Sequence, residues 1–309
     1  MSSVEYDLII VGGGPAGLTA GLYAARAMLN AVLLEKGAVG GQVLLTDWVD
    51  NYPGFPEGIS GFDLIDKMAA QAARFGMQTR LGAVTGMDLK GPVKRLTLED
   101  GSELTAKSVI IATGARPKQL GVPGEVELTG KGVSYCATCD GPFYRKHEVA
   151  VVGGGNTAVE EAVYLTRFAD KVTVIHRRNE LRATKIIQQH AFANEKVHFL
   201  LDTQVLRVVG KDGVEGLQLR KNSGEESFLP VHGVFMLVGT APNNEMLPLA
   251  DLAADPYGFI PTDGEMRTVI PGVMAVGDIR SKVVRQVVNA AGEGAVAVLA
   301  AEAYLRQIG

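Results

Sequence analysis

This 309-residue chain is poor in cysteine, tryptophan and histidine, with two, one and five of them. Two cysteines cannot build the disulfide framework of a small secreted domain. They also fall short of the roughly four ligands of a structural zinc site, since His147 is the only histidine near them in sequence, so no metal is expected. No apolar run approaches the ~18 residues that suggest a membrane-spanning helix. Met1 to Asp7 lacks the basic and apolar segments of a secretory leader, so a cytoplasmic protein is expected. Blocks of like charge are absent and the net charge is only −4, which argues against nucleic acid or a membrane as a partner. The length exceeds one typical domain, and a 47% hydrophobic content is enough to fill two cores.

What the chain does have is glycine, placed twice in the same context. Tyr6 to Val11 reads as a buried strand, followed by Gly12-Gly13-Gly14-Pro15-Ala16-Gly17, a helix over Leu18 to Ala27, and a second strand, Ala31 to Leu34, ending at Glu35. Val149 to Val152 repeats the opening, followed by Gly153-Gly154-Gly155-Asn156-Thr157-Ala158, a helix from Val159 to near Phe168, and the strand Lys171 to Ile175, ending at His176. The interval from Gly17 to Glu35 equals that from Ala158 to His176. Each copy has a later echo, in Ile110 to Pro117 around Gly114 and in Leu237 to Asn243. A last strand-and-turn signal, Val273 to Asp278, precedes a helical stretch, Val283 to Leu305, and is expected to rejoin the first sheet. The expected fold is α/β, with two Rossmann-like dinucleotide-binding domains and the second inserted in the first. The parts are 1–117, the inserted domain 118–245, and 246–309, with crossings near Arg116 to Gly121 and Asn243 to Leu247.

A glycine-rich turn entering a helix lets backbone N–H groups approach a pyrophosphate at the helix's positive end. In the first copy Glu35 occupies the register of a ribose-binding acid, which accepts from the 2′- and 3′-hydroxyls and repels a 2′-phosphate. FAD or NAD(H) fits there and NADPH does not. The second copy has no acid in that register but His176-Arg177-Arg178, with Arg182 one helical turn later. Guanidinium groups bind phosphate by charge-assisted hydrogen bonds, so this cluster reads as a clamp for NADPH, the other reading being a solvated basic edge. A site for NADPH needs a hydride acceptor in the other, and FAD is the usual one. Gly277-Asp278 reads as a second flavin contact or as an ordinary turn.

The two cysteines stand as Cys136-Ala-Thr-Cys139, just upstream of the second fingerprint and followed by Asp140. The spacing puts two sulfurs within bonding reach, and a disulfide is a natural two-electron acceptor. A buried thiol pair is the alternative. Asp140 could carry a proton, or it could be a turn residue before Gly141-Pro142.

Taken together, these motifs resemble the low-molecular-weight, bacterial-type thioredoxin reductases over nearly the whole chain. Gly12, Gly14, Pro15, Ala16 and Gly17, followed by Glu35 and Lys36, resemble the family's FAD fingerprint. Gly41-Gln42, Asn51 and Gly114 resemble its flavin-side loops, and Gly277, Asp278, Arg285, Gln286 and Val287 its C-terminal FAD motif. Gly153, Gly155, Asn156, Thr157, Ala158 and Glu160, with Glu161, resemble its NADPH fingerprint, and His176, Arg177, Arg178 and Arg182 its 2′-phosphate motif. The resemblance implies that Cys139 lies nearest the flavin, that Cys136 attacks the thioredoxin disulfide and that Asp140 is the acid–base residue. It also implies a homodimer and a hinge motion between the domains. Two departures are Thr240-Ala241, where the family often has His and another residue, and Val287, where Ala is common. A reductase of another protein disulfide, a small-molecule dithiol oxidase and a non-catalytic redox sensor remain as alternatives.

Overall fold

The computed structural model describes residues 4–46 and 48–309. The chain divides into two compact units, one running to Arg116 and resuming at Ala241, the other spanning Pro117–Thr240.

The first unit is built on a sheet whose parallel strands are Gln78–Leu81, Ala31–Glu35, Tyr6–Val11 and Glu103–Ile111, in that spatial order. An antiparallel hairpin, Val84–Asp88 with Lys94–Leu98, pairs with the first half of Glu103–Ile111. Val273–Ala275 pairs in parallel with its second half, so the late strand does rejoin the first sheet. Successive side chains in a strand point to opposite faces. Leu8, Ile10, Leu33, Ile110 and Met274 pack on one side against the helices Pro15–Arg26 and Val287–Ile308. Ile9, Val11, Val32, Leu34, Val109 and Ile111 pack on the other, beneath Leu247, Leu252 and Ile260. Both faces are covered, which is why these strands read as unbroken apolar runs.

The second unit has a five-stranded parallel sheet in the order Val197–Leu200, Lys171–Ile175, Glu148–Val152, Gly233–Met236, Val133–Ser134. Val149, Val151, Val172 and Val174 face the helix Asn156–Leu165 through Ala158, Ala162 and Leu165. Ala150, Val152, Val234 and Met236 face a three-stranded antiparallel sheet through Val205, Val208, Leu217 and Leu219.

Both fingerprint helices start earlier than the sequence suggests. The first begins at Pro15, where a missing N–H removes no helical bond, and the second begins at Asn156. The C-terminal helix approaches Pro15–Arg26 closely because it is lined with small residues. A Cβ built on Gly294 would overlap the Ala16 carbonyl, whereas one on Gly292 meets nothing within 4 Å. Gly294→Ala is therefore expected to destabilise the protein by about 1–3 kcal/mol and lower its melting temperature by several degrees. Gly292→Ala is expected not to lower it, because the new methyl enters open space and improves helix propensity. Thermal unfolding of the two variants checks this, and equal melting temperatures would contradict the packing described.

Candidate active site

In each unit the strand order reverses at the central strand. Tyr6–Val11 has Ala31–Glu35 on one side and Glu103–Ile111 on the other, and Glu148–Val152 has Lys171–Ile175 and Gly233–Met236. A crevice opens outside the carboxyl end of such a strand. Gly12 and Gly153 stand at those ends.

In the first unit, a Cβ on Gly17 would overlap the Gly12 carbonyl, so strand and helix touch backbone to backbone. At Gly14 an added Cβ meets nothing within 4 Å. The protein itself does not require glycine there, and the open space above the turn suits a phosphate. The Glu35 carboxylate accepts from Gly13 N–H at 2.7 Å and from Gly37 N–H at 3.1 Å. About two of its roughly four lone-pair sites remain for a ribose. Lys36 follows on the exposed side. Gly40 N–H donates to the Gly13 carbonyl at 2.9 Å, which brings Gly41 and Gln42 beside the turn. Asn51 Nδ2 donates to Gln286 Oε1 at 3.0 Å, joining two motif residues from opposite ends of the sequence. Asn243 donates from its backbone to the Gly114 carbonyl at 3.0 Å and from Nδ2 to the Thr113 carbonyl at 2.8 Å.

Below Gly277-Asp278 lies a buried charge cluster. Glu293 accepts from Gly277 N–H at 2.7 Å through one oxygen, and from Arg280 at 2.7 Å and Lys282 at 3.1 Å through the other. Lys282 Nζ also lies 3.7 Å from Asp278 Oδ1. Burial raises the Asp278 carboxyl above its ordinary value, and Lys282 and Arg285 offset only part of that rise. Arg285 lies over the Phe259 ring at 4.4 Å, and Val287 opens the C-terminal helix. Thr113 Oγ1, Asp278 Oδ1 and Arg285 Nε are buried without a hydrogen-bond partner among the described residues. Buried polar atoms are rarely left so. These three, with the open turn at Gly14, fit a ligand rich in hydroxyl and phosphate groups.

In the second unit, Arg182 and Ala183 N–H both donate to the Gly154 carbonyl, at 2.7 and 3.0 Å, and Thr184 N–H donates to Asn156 Oδ1 at 2.9 Å. The loop after Ile175 is thus fastened to Gly154 and Asn156, within the turn that also carries Gly153, Gly155 and Thr157. Arg177, Arg178 and Arg182 are exposed, and none has an ion-pair partner among the described residues. His176 behaves differently from its neighbours. It is buried, its ring lies where a Cβ on Gly154 would have to go, and its Nε2 has no hydrogen-bond partner among the described residues.

The redox turn follows the edge strand Val133–Ser134. Cys136 and Cys139 form a disulfide with their Cα atoms 5.3 Å apart. Cys136 N–H donates to Ser134 Oγ at 3.1 Å, and Cys136 Sγ accepts from Cys139 N–H at 3.2 Å and lies 3.3 Å from Thr138 Oγ1. Asp140 N–H donates to the Cys136 carbonyl at 3.1 Å. Burial, reinforced by the nearby Asp140 charge, pushes the Tyr144 hydroxyl up to about 12, so it holds its proton at neutral pH. Glu160 is exposed, while Glu161 accepts from Ala137 N–H at 3.1 Å. Thr113, Ser134 and Glu293 escaped the sequence reading. Of these only Glu293, a lone acid among alanines and glycines, carries a visible signal.

Burial, followed by Arg182 and Arg178, lowers the His176 pKa from 6.5. As pH falls below 6.5 the unfolded chain binds a proton that the folded ring refuses, so stability falls toward acid and is unaffected above. Urea unfolding at pH 7.5 and 5.5 should show a smaller acid loss in His176→Asn than in the unsubstituted protein. Equal losses would mean the ring is not held neutral.

The family model of the pyridine nucleotide-disulphide oxidoreductases matches residues 6–294. A thioredoxin reductase of Listeria monocytogenes is 47% identical over 318 residues, covering 100% of this chain and 97% of that protein. One of Mycolicibacterium smegmatis is 46% identical, covering 99% and 98%. Among solved structures, thioredoxin reductase from Streptococcus pyogenes is 46% identical with a TM-score of 0.93, covering 98% of each chain. That from Giardia duodenalis is 33% identical with a TM-score of 0.93, covering 98% of this chain and 100% of that one. The chain belongs to the pyridine nucleotide-disulphide oxidoreductases and, among them, to the thioredoxin reductases.

Proposed function

We propose that the chain is an NADPH-dependent thioredoxin-disulfide reductase, with FAD held by the Gly12–Gly17 unit and NADPH by the Gly153–Ala158 unit. The observation that supports it most is a CxxC disulfide in the same unit as a fingerprint whose ribose register carries three exposed guanidinium groups. Arg177, Arg178 and Arg182 take the 2′-phosphate through charge-assisted hydrogen bonds. Glu35 accepts from ribose hydroxyls in the other unit, and Asp278 and Thr113 offer oxygens that accept no hydrogen bond among the described residues. A flavin held by these residues would supply two-electron transfer between the nicotinamide and the disulfide.

Two-electron reduction breaks the Cys136–Cys139 bond. Cys139 N–H and the Thr138 hydroxyl lie against Cys136 Sγ and favour its thiolate, the attacking form. That thiolate attacks one sulfur of the thioredoxin disulfide, forms a mixed disulfide and expels the other sulfur as a thiolate. Cys139 then attacks Cys136 Sγ, which restores the original bond and releases reduced thioredoxin. Asp140, on the next peptide, takes the proton of the Cys139 thiol as it attacks and delivers it to the departing thiolate. This chemistry suits the reducing cytoplasm. A homodimer is part of the proposal, supported by exposed Val288, Val296 and Leu299 at helical spacing on the C-terminal helix. A one-chain mass by light scattering would remove it.

Anaerobic NADPH should bleach a flavin absorption band both in the unsubstituted protein and in Cys139→Ser, and only the former should then reduce thioredoxin. Purified protein without flavin would overturn the proposal, as would turnover by Cys139→Ser. Replacing Arg177 and Arg178 by Ala should raise the Michaelis constant for NADPH by roughly tenfold or more and leave that for NADH unchanged. Equal losses for both nucleotides would remove the phosphate clamp.

A further inference from the structure

Glu161 lies in the helix that starts at the second fingerprint, yet its carboxylate serves the redox turn. With 3.6 residues per turn, neighbouring side chains point about 100° apart. Glu160 is therefore exposed, whereas Glu161 is half-buried and accepts from Ala137 N–H at 3.1 Å. Ala137 is fully buried, so water cannot replace that acceptor. It is also the residue directly after Cys136 and the first of the helical turn Ala137–Asp140. Burial raises the Glu161 carboxyl, and the Ala137 hydrogen bond lowers it. An apolar side chain would fill this place without that penalty, so the acceptor atom is what the position requires.

We propose that Glu161 is a positioning residue for disulfide exchange: its hydrogen bond to Ala137 N–H fixes the peptide that carries Cys136. Held there, Cys136 Sγ stays against Cys139 N–H and Thr138 Oγ1, the two donors that favour its thiolate. The proposal rests on the exchange chemistry above but not on NADPH, flavin or thioredoxin.

The test uses the full protein reduced with dithiothreitol, freed of reductant and mixed with 5,5′-dithiobis(2-nitrobenzoate). The Cys136 thiolate attacks the reagent's disulfide and expels one thionitrobenzoate. Cys139 then attacks the mixed disulfide and expels the second, re-forming the protein disulfide. Glu161→Asp keeps the charge but withdraws the acceptor by one methylene, and should slow the first release roughly fivefold or more. Glu161→Gln keeps an acceptor of the same reach without the charge, and should remain within about twofold of the unsubstituted rate. Unsubstituted speed in Glu161→Asp would overturn the proposal, as would Glu161→Gln as slow as Glu161→Asp, since charge and not position would then be at work. If the unsubstituted protein exchanges normally with the reagent but does not reduce thioredoxin, the assigned substrate fails and the role of Glu161 stands.

Discussion

The contact between Gly12 and Gly17 is the constraint on which the first unit turns. The strand Tyr6–Val11 and the helix Pro15–Arg26 meet with no side chain between them, and a Cβ on Gly17 would overlap the Gly12 carbonyl. That closeness aims the helix start, with its unpaired N–H groups, at the crevice where the strand order reverses. At the second turn, Gly154 gives up its side-chain volume to the His176 ring. Without these approaches the unpaired groups further out would have nothing to surround.

The two crevices share a backbone and differ in charge. Glu35 fastens its own turn through Gly13 and Gly37, so its position is set by the protein itself. In the other unit the guanidinium groups are carried on a loop tied down by main-chain bonds to Gly154, which leaves the side chains themselves uncommitted. An acceptor fixed by hydrogen bonds suits neutral hydroxyls, and uncommitted cations suit a phosphate. The chemical difference between the sites thus follows from one strand ending in an acid and the other in a basic segment.

Much of this was legible in the sequence, because strand alternation and glycine turns act over a few residues. The duplicated strand–turn–helix–strand pattern identified the α/β class, and the return of Val273–Ala275 to the first sheet followed from its apolar run and turn. The first fingerprint helix reads as starting late because Pro15 and Gly17 look like breakers, although the first helical turn tolerates both. Contacts across long sequence separations were not legible. Nothing local announces that Asn51 meets Gln286, that Glu161 reaches Ala137, or that His176 turns inward while Arg177 turns out. These depend on how sheets and helices stack, which periodicity does not record.

Glu293, Arg280 and Lys282 also bear on how the sequence can change over time. Their side chains are all nearly enclosed; Glu293 pairs with both cations, and Asp278 supplies a second carboxylate near Lys282, in a part of the helix rich in alanine and glycine. Alanines and glycines slide past each other with little penalty, so these ions hold the C-terminal helix in one axial alignment beneath Gly277. Losing Glu293 would leave Arg280 without its ion-pair partner and Lys282 with only Asp278. A lineage is therefore expected to exchange the set as a group for an uncharged one or to keep it whole, and half-exchanged intermediates would be purged.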